Sequence, residues 1–146
     1  MLRHAFEAAE QFRHTWVSSE HLLVAITRDT ADSRGQAALA ACGVDGALAD
    51  DFVANMTFDP PMAPLTDSER PEPNPKFYWV FGRAQGFAYA GGSERVGSEH
   101  VLLALIWDDS KLLTFVLEAV GRTPPDLVAA LAELGIQTPD LSPPVG

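Results

Sequence analysis

A serine, a glutamate and a histidine stand side by side twice in this sequence, as Ser19-Glu20-His21 and as Ser98-Glu99-His100. Three chemistries suit such residue types. A serine beside a histidine suggests a nucleophile with its base. Adjacent helical residues point in different directions, however, and a hydroxyl that caps a helix is already engaged. A glutamate beside a histidine suggests a metal site. There is no His-Glu-x-x-His here, and the four histidines, at 4, 14, 21 and 100, show no zinc spacing. The third chemistry is a helix start. Ser19 and Ser98 are natural N-caps, and Glu20 and Glu99 follow at the first helical position, where the positive end of the helix dipole favours a carboxylate. On this reading His21 and His100 are hydrogen-bonded core histidines of the first turn.

Nucleotide chemistry finds no support either. A phosphate loop ends in Gly-Lys-Ser/Thr, whereas Lys76 follows proline and Lys111 follows serine. No catalysis, metal or cofactor is expected, and the chain reads as a binding protein rather than an enzyme.

The elements that carry these motifs read as helices throughout. Apolar spacing predicts helices over 5–12, which has no internal proline or glycine, and over 19–28, about 32–43, 44–56, 76–89, 98–108, 110–120 and 124–134. Gly43 is the expected stop of the third. Six of the eleven prolines fall between Thr57 and Pro75, which excludes regular structure across most of that bridge. The tail from Gln137 to Gly146 is expected to fray, and no strand is expected. In the aromatic run of the fifth helix, core packing would put Phe77, Phe81, Ala84 and Ala88 on one buried face with Tyr78 and Trp79 toward a flank; the alternative is an exposed aromatic strip that binds peptides or a second copy.

The two halves repeat each other. Val17-Ser18-Ser19-Glu20-His21-Leu22-Leu23-Val24-Ala25-Ile26 aligns with Val96-Gly97-Ser98-Glu99-His100-Val101-Leu102-Leu103-Ala104-Leu105, 79 positions later, and Ala41-Cys42-Gly43 answers Ala119-Val120-Gly121. One duplication of this length implies two similar helical bundles about a pseudo-twofold axis, not a solenoid. The boundaries are repeat one at about 1–56, the bridge at 57–75, repeat two at about 76–136 and a flexible tail at 137–146, all in one domain.

The doubled Ser/Thr-Glu-His-Leu-Leu-x-Ala-Ile/Leu pattern with a proline-containing bridge resembles the Clp N-terminal (Clp repeat) domain of Clp-class protein unfoldases, in particular the ClpC type. The resemblance spans about Ala5 to Leu134. It implies an all-α, eight-helix double Clp repeat that binds substrates and adaptors without catalysis. It also implies recognition of phosphoarginine, with Glu20 and Glu99 holding the guanidinium, as a carboxylate does through paired hydrogen bonds. The family's Phe-Thr-x-Arg-Ala-like phosphate-holding segment has no counterpart in the first repeat. In the second, the matching stretch is Pro73-Asn74-Pro75-Lys76, where Lys76 and Asn74 are the phosphate-side candidates. That assigns the stronger site to Glu99. Implied partners are arginine-phosphorylated proteins or peptides, Clp unfoldases, adaptor proteins and cyclic-peptide antibiotics. The chain would deliver tagged substrates or compete with a full unfoldase for its ligands. The alternative is a structural or regulatory interaction domain that has lost phosphoarginine recognition.

Charge narrows the partners further. Ten basic residues against twenty acidic give a net charge of −10. Nucleic acid is repelled by such a surface, because its affinity rests on phosphate neutralisation. Arginine-bearing peptides or a basic protein face suit it better. The longest apolar run, Val101 to Trp107, is too short to cross a bilayer. The opening residues carry no signal-peptide pattern, and one cysteine, Cys42, allows no intrachain disulfide. A cytoplasmic location is therefore expected.

Overall fold

The computed structural model describes residues 1–56, 65–67 and 69–139. Among the described residues eight helices run in the order α1 (Leu2–Gln11), α2 (Ser19–Arg28), α3 (Arg34–Ala41), α4 (Gly46–Ala54), α5 (Pro75–Ala90), α6 (Ser98–Trp107), α7 (Lys111–Ala119) and α8 (Pro124–Glu133). The irregular bridge expected at 57–75 lies partly outside the described residues, at 57–64 and 68, as does the tail from 140 onward.

The two central helices, α2 and α6, carry the repeated motif and lie against each other. Sequence periodicity gives α2 a single apolar face of Leu22, Leu23 and Ile26. In the fold His21, Leu22, Leu23, Val24, Ala25, Ile26 and Thr27 are all buried, as are Val101 through Leu105 in α6. Helices covered on all sides need no polar stripe. One contiguous core runs through both repeats, from Ala5 and Ala9 to Leu127 and Leu131.

The outer helices exchange partners across the pseudo-twofold. α3 packs on α6 and α8 of the other repeat as well as on its own α2, while α7 packs on α2 and α4 of the other repeat as well as on its own α8. Both close on a left-handed glycine, Gly43 at φ 88° and Gly121 at φ 73°, a conformation open to residues without a Cβ.

One element departs from the all-helical expectation. Trp16–Val17 (β1) and Glu72–Pro73 (β2) form a two-residue parallel pair, Trp16 opposite Glu72 and Val17 opposite Pro73. Its bonds run from Glu72 N–H to Thr15 C=O and from Asn74 N–H to Val17 C=O, both 3.1 Å. Pro73 falls between the two donors, where the ladder asks nothing of its nitrogen. Two residues are too few to generate a period-2 signal. The pair matters for position, because it sets the start of α5 beside the start of α2.

In α5 Phe77, Val80, Ala84, Phe87 and Ala88 are buried. Tyr78, Trp79 and Tyr89 are exposed.

Candidate functional site

Both Ser-Glu-His motifs start helices, with the cap one residue earlier than expected. Ser18 and Gly97 are the N-caps, and Ser19 and Ser98 are the first helical residues. Glu20 and Glu99 therefore sit at the second helical position. The histidines follow at the third, the one place from which a side chain reaches back to the cap. His21 Nδ1 accepts the Ser18 N–H and His100 Nδ1 accepts the Gly97 N–H, each at 2.9 Å. Histidine here performs the task glutamate has in a capping box.

That bond fixes the tautomer of His21, since with Nδ1 accepting, Nε2 carries the proton. Nε2 lies 2.9 Å from His14 Nδ1 and donates to it. His14 in turn bonds the backbone of Ala54, so the pair ties the α1–β1 loop, α2 and the end of α4 together. Burial, with the neighbouring His14 adding to it, pushes the His21 pKa down to about 3. His14 is lowered too, again chiefly by burial.

Glu20 opens onto a cleft of about 740 Å³. Ser18 Oγ–H donates to Glu20 Oε2, and Ser19 Oγ–H reaches the same oxygen at 3.4 Å. Leu112 and Phe115 of α7 join Phe52 and Met56 as its apolar wall, and Asp51 and Asn55 add polar groups from α4. Asn74 and Lys76 line this same cleft. Sequence reasoning placed them with Glu99; the parallel β1–β2 pair is what carries them to Glu20 instead. Asn74 Oδ1 caps α5 by accepting the Phe77 N–H at 2.9 Å. Lys76 Nζ lies 3.5 Å from Asp108 Oδ2.

Glu99 has different surroundings. It is 8% exposed, and its Oε1 lies 3.3 Å from Nη1 of Arg34, whose side chain is 68% exposed. Among the described residues, Glu99 Oε2 is buried without a hydrogen-bond partner. The serine that serves this purpose in repeat one is replaced by Gly97, and the carboxylate folds back where a Cβ at position 97 would stand. The adjoining cavity is about 290 Å³, bounded by Phe87, Leu103 and the segment from Gly135 to Pro139, the start of the expected tail.

The start of α3 is moored to the start of α6. Ser98 N–H donates to Asp32 Oδ2 at 2.7 Å and Gly35 N–H donates to Ser98 Oγ at 2.8 Å. Burial works against ionisation of Asp32, but the N–H groups of Ser98 and Arg34 outweigh it and hold its carboxyl below the usual range. Neither Asp32 nor Arg34 stands out as a site residue in the sequence. Among the described residues no group of three or more His, Cys, Asp or Glu side chains could hold a metal ion, and no helix is long and apolar enough to cross a membrane.

The sequence model of the Clp repeat (R) N-terminal domain matches residues 1–120. The chain belongs to the Clp repeat N-terminal domain family. Solved Clp-type domains share its fold. The Hsp104 N-terminal domain from Candida albicans is 16% identical, covers 97% of this chain and 90% of its own, and superposes with a TM-score of 0.67. The N-terminal domain of the caseinolytic protease associated chaperone ClpD from Arabidopsis thaliana is 17% identical, with 91% and 90% coverage and a TM-score of 0.65. A structure described as part of a malarial protein secretion system is 19% identical, with 91% and 88% coverage and a TM-score of 0.66. Within this Clp N-terminal domain the two carboxylates of the doubled motif are thus equivalent in sequence and unequal in setting.

Proposed function

We propose that this domain is a non-catalytic substrate- and adaptor-binding module of a Clp-type chaperone system. Its ligand is the arginine side chain of arginine-phosphorylated proteins, held at the Glu20 cleft. Glu99 is the pseudo-twofold counterpart of that carboxylate. The observation that carries the reading is the convergence of Glu20, Lys76 and Asn74 on one open cleft with an apolar wall. A carboxylate at a helix start, with one oxygen steadied by serine hydroxyls, can accept N–H bonds from a guanidinium through the other. Lys76 is the cation this cleft can offer a phosphate, and Phe52, Met56, Leu112 and Phe115 suit the neighbouring residues of a peptide.

One feature favours a second reading, in which unmodified arginine-bearing segments are bound and phosphate recognition is lost. The cleft is rich in negative charge: Lys76 leans on Asp108, and Asp51 adds a second carboxylate beside Glu20. Calorimetry with phosphoarginine and arginine separates the two. The first reading expects phosphoarginine to bind more tightly, with Lys76→Ala erasing the preference. Either reading expects Glu20→Gln to weaken binding by roughly tenfold to a hundredfold, the equivalent of about 1.5–3 kcal/mol for a charge-assisted bond. Undiminished binding by the Glu20→Gln/Glu99→Gln double variant would remove both carboxylates from the site.

A further inference from the structure

We infer that the Glu99 site is held shut by the chain's own Arg34, so that the domain presents one open arginine-binding carboxylate rather than two. The inference deepens the functional reading above and rests on it.

Three observations converge. First, Glu99 already holds a guanidinium. Arg34 Nη1 sits 3.3 Å from Oε1, and the carboxylate beneath is nearly closed to solvent. Second, Arg34 is not there by chance of a swinging surface side chain. It lies between Asp32 and Gly35, both of which bond the first turn of α6. A Cβ at Gly35 would stand 2.9 Å from Ile26 Cγ2 and 3.0 Å from Ser98 Cβ, so only a glycine lets the two helix starts come this close. Third, the pseudo-twofold supplies an internal control. The 78-residue offset that relates Ala41-Cys42-Gly43 to Ala119-Val120-Gly121 sets Arg34 opposite Leu112. Leu112 lines the Glu20 cleft and has no charge to offer. Counted instead from the caps Ser33 and Ser110, Arg34 answers Lys111, which makes no ion pair with Glu20 among the described residues, so α7 turns an apolar wall to one carboxylate where α3 turns a guanidinium to the other.

The pair is a single contact between one Arg34 nitrogen and one Glu99 oxygen, and Arg34 is largely solvated. A contact of this kind is easily broken by substitution at the exposed partner, whereas its removal bares a buried carboxylate that favours any incoming guanidinium.

The test has two arms. In the first, phosphoarginine and arginine are titrated by calorimetry into wild type, Arg34→Ala, Glu20→Gln, and Arg34→Ala with Glu20→Gln or Glu99→Gln. Wild type is expected to bind one equivalent, lost with Glu20→Gln. Arg34→Ala is expected to bind two, with the second surviving Glu20→Gln and abolished by Glu99→Gln. One equivalent in both wild type and Arg34→Ala would overturn the inference while leaving the Glu20 reading intact. The second arm needs no arginine ligand. Millimolar methylguanidinium is expected to raise the melting temperature of Arg34→Ala/Glu20→Gln saturably, and not that of Glu20→Gln or of the triple variant that adds Glu99→Gln. Arg34→Met, which keeps the length of the side chain, gives the same result if Arg34→Ala folds poorly. An equal response in Glu20→Gln with and without the Arg34 substitution overturns the inference whether or not phosphoarginine binds. Failure of phosphoarginine and arginine to bind any variant, with a selective methylguanidinium response, would instead overturn the functional reading alone.

Discussion

Acidification should unfold this domain through one buried ring. His21 lies in the core, its Nδ1 committed to the Ser18 N–H and its Nε2 to His14, and its pKa is pushed down to about 3. In the unfolded chain a histidine titrates near 6.5. Between these two values the unfolded state binds a proton that the folded state refuses, so stability rises with pH across that window. The contribution is complete above about 6.5 and is lost as pH falls toward 3. From pH 7 to pH 5 the linkage relation gives a loss of about 2 kcal/mol from His21 alone. His14, lowered in the same direction, adds to it. At a urea slope of about 2 kcal/mol per molar, the unfolding midpoint should drop by about 1 M between those pH values. The control is His21→Gln, whose side-chain carbonyl can still accept the cap N–H but does not titrate. Its stability at pH 7 matters less than its slope, which should be shallower by about 2 kcal/mol over the same interval. Equal pH dependence in the two proteins would refute the assignment of His21 as a buried neutral ring.

Other substitutions probe other parts of the design. Gly82 and Gly86 lie inside α5, and a Cβ at either meets nothing within 4 Å; Gly82→Ala and Gly86→Ala should each stabilise by about 0.5–1 kcal/mol in denaturant titration. Gly35→Ala should do the opposite, costing about 1–3 kcal/mol, because the added methyl enters the contact between α3 and α6. Ser98→Ala leaves the Gly35 N–H without its acceptor, and a loss of about 1–3 kcal/mol is expected by thermal melting. Asp45→Ala removes the oxygen that accepts the Leu48 N–H at the start of α4 and should cost about 1 kcal/mol, read as a lower urea midpoint.

Much of the fold was legible because the helices begin and end on strong local signals. Gly43 and Gly121 stop α3 and α7, Asn74 and Pro75 start α5, and the doubled motif marks α2 and α6. The caps slipped by one residue because Ser18 and Ser19 are equally good cap formers, and at Gly97 there is no side chain to read. What decided the matter was the histidine three residues on, an uncommon partner for that task. The site was less legible. The carboxylates declare themselves by repetition, but which cation faces which carboxylate depends on chain crossings. Lys76 reaches Glu20 through a two-residue parallel pair too short to leave a pattern, and Arg34 reaches Glu99 because α3 packs on the other repeat. The 78-residue offset that sets Arg34 against Leu112 is present in the sequence, yet gains meaning only once that exchange is known.

The exchange of outer helices also bears on what half of this chain could be. Each repeat covers its central helix partly with a helix borrowed from the other, α7 on α2 and α3 on α6. Separated, a single repeat would bare that apolar flank, and a second copy could cover it in a symmetric dimer whose third helices reach across to the partner. Fusion then turns an encounter between molecules into one within a molecule, replacing dilution with a high effective concentration. It also frees the two copies to diverge, so that one carboxylate can keep an open cleft while its twin acquires an arginine. A chain nicked between Met56 and Leu65 should accordingly stay together as one folded body, and its melting temperature should become dependent on concentration.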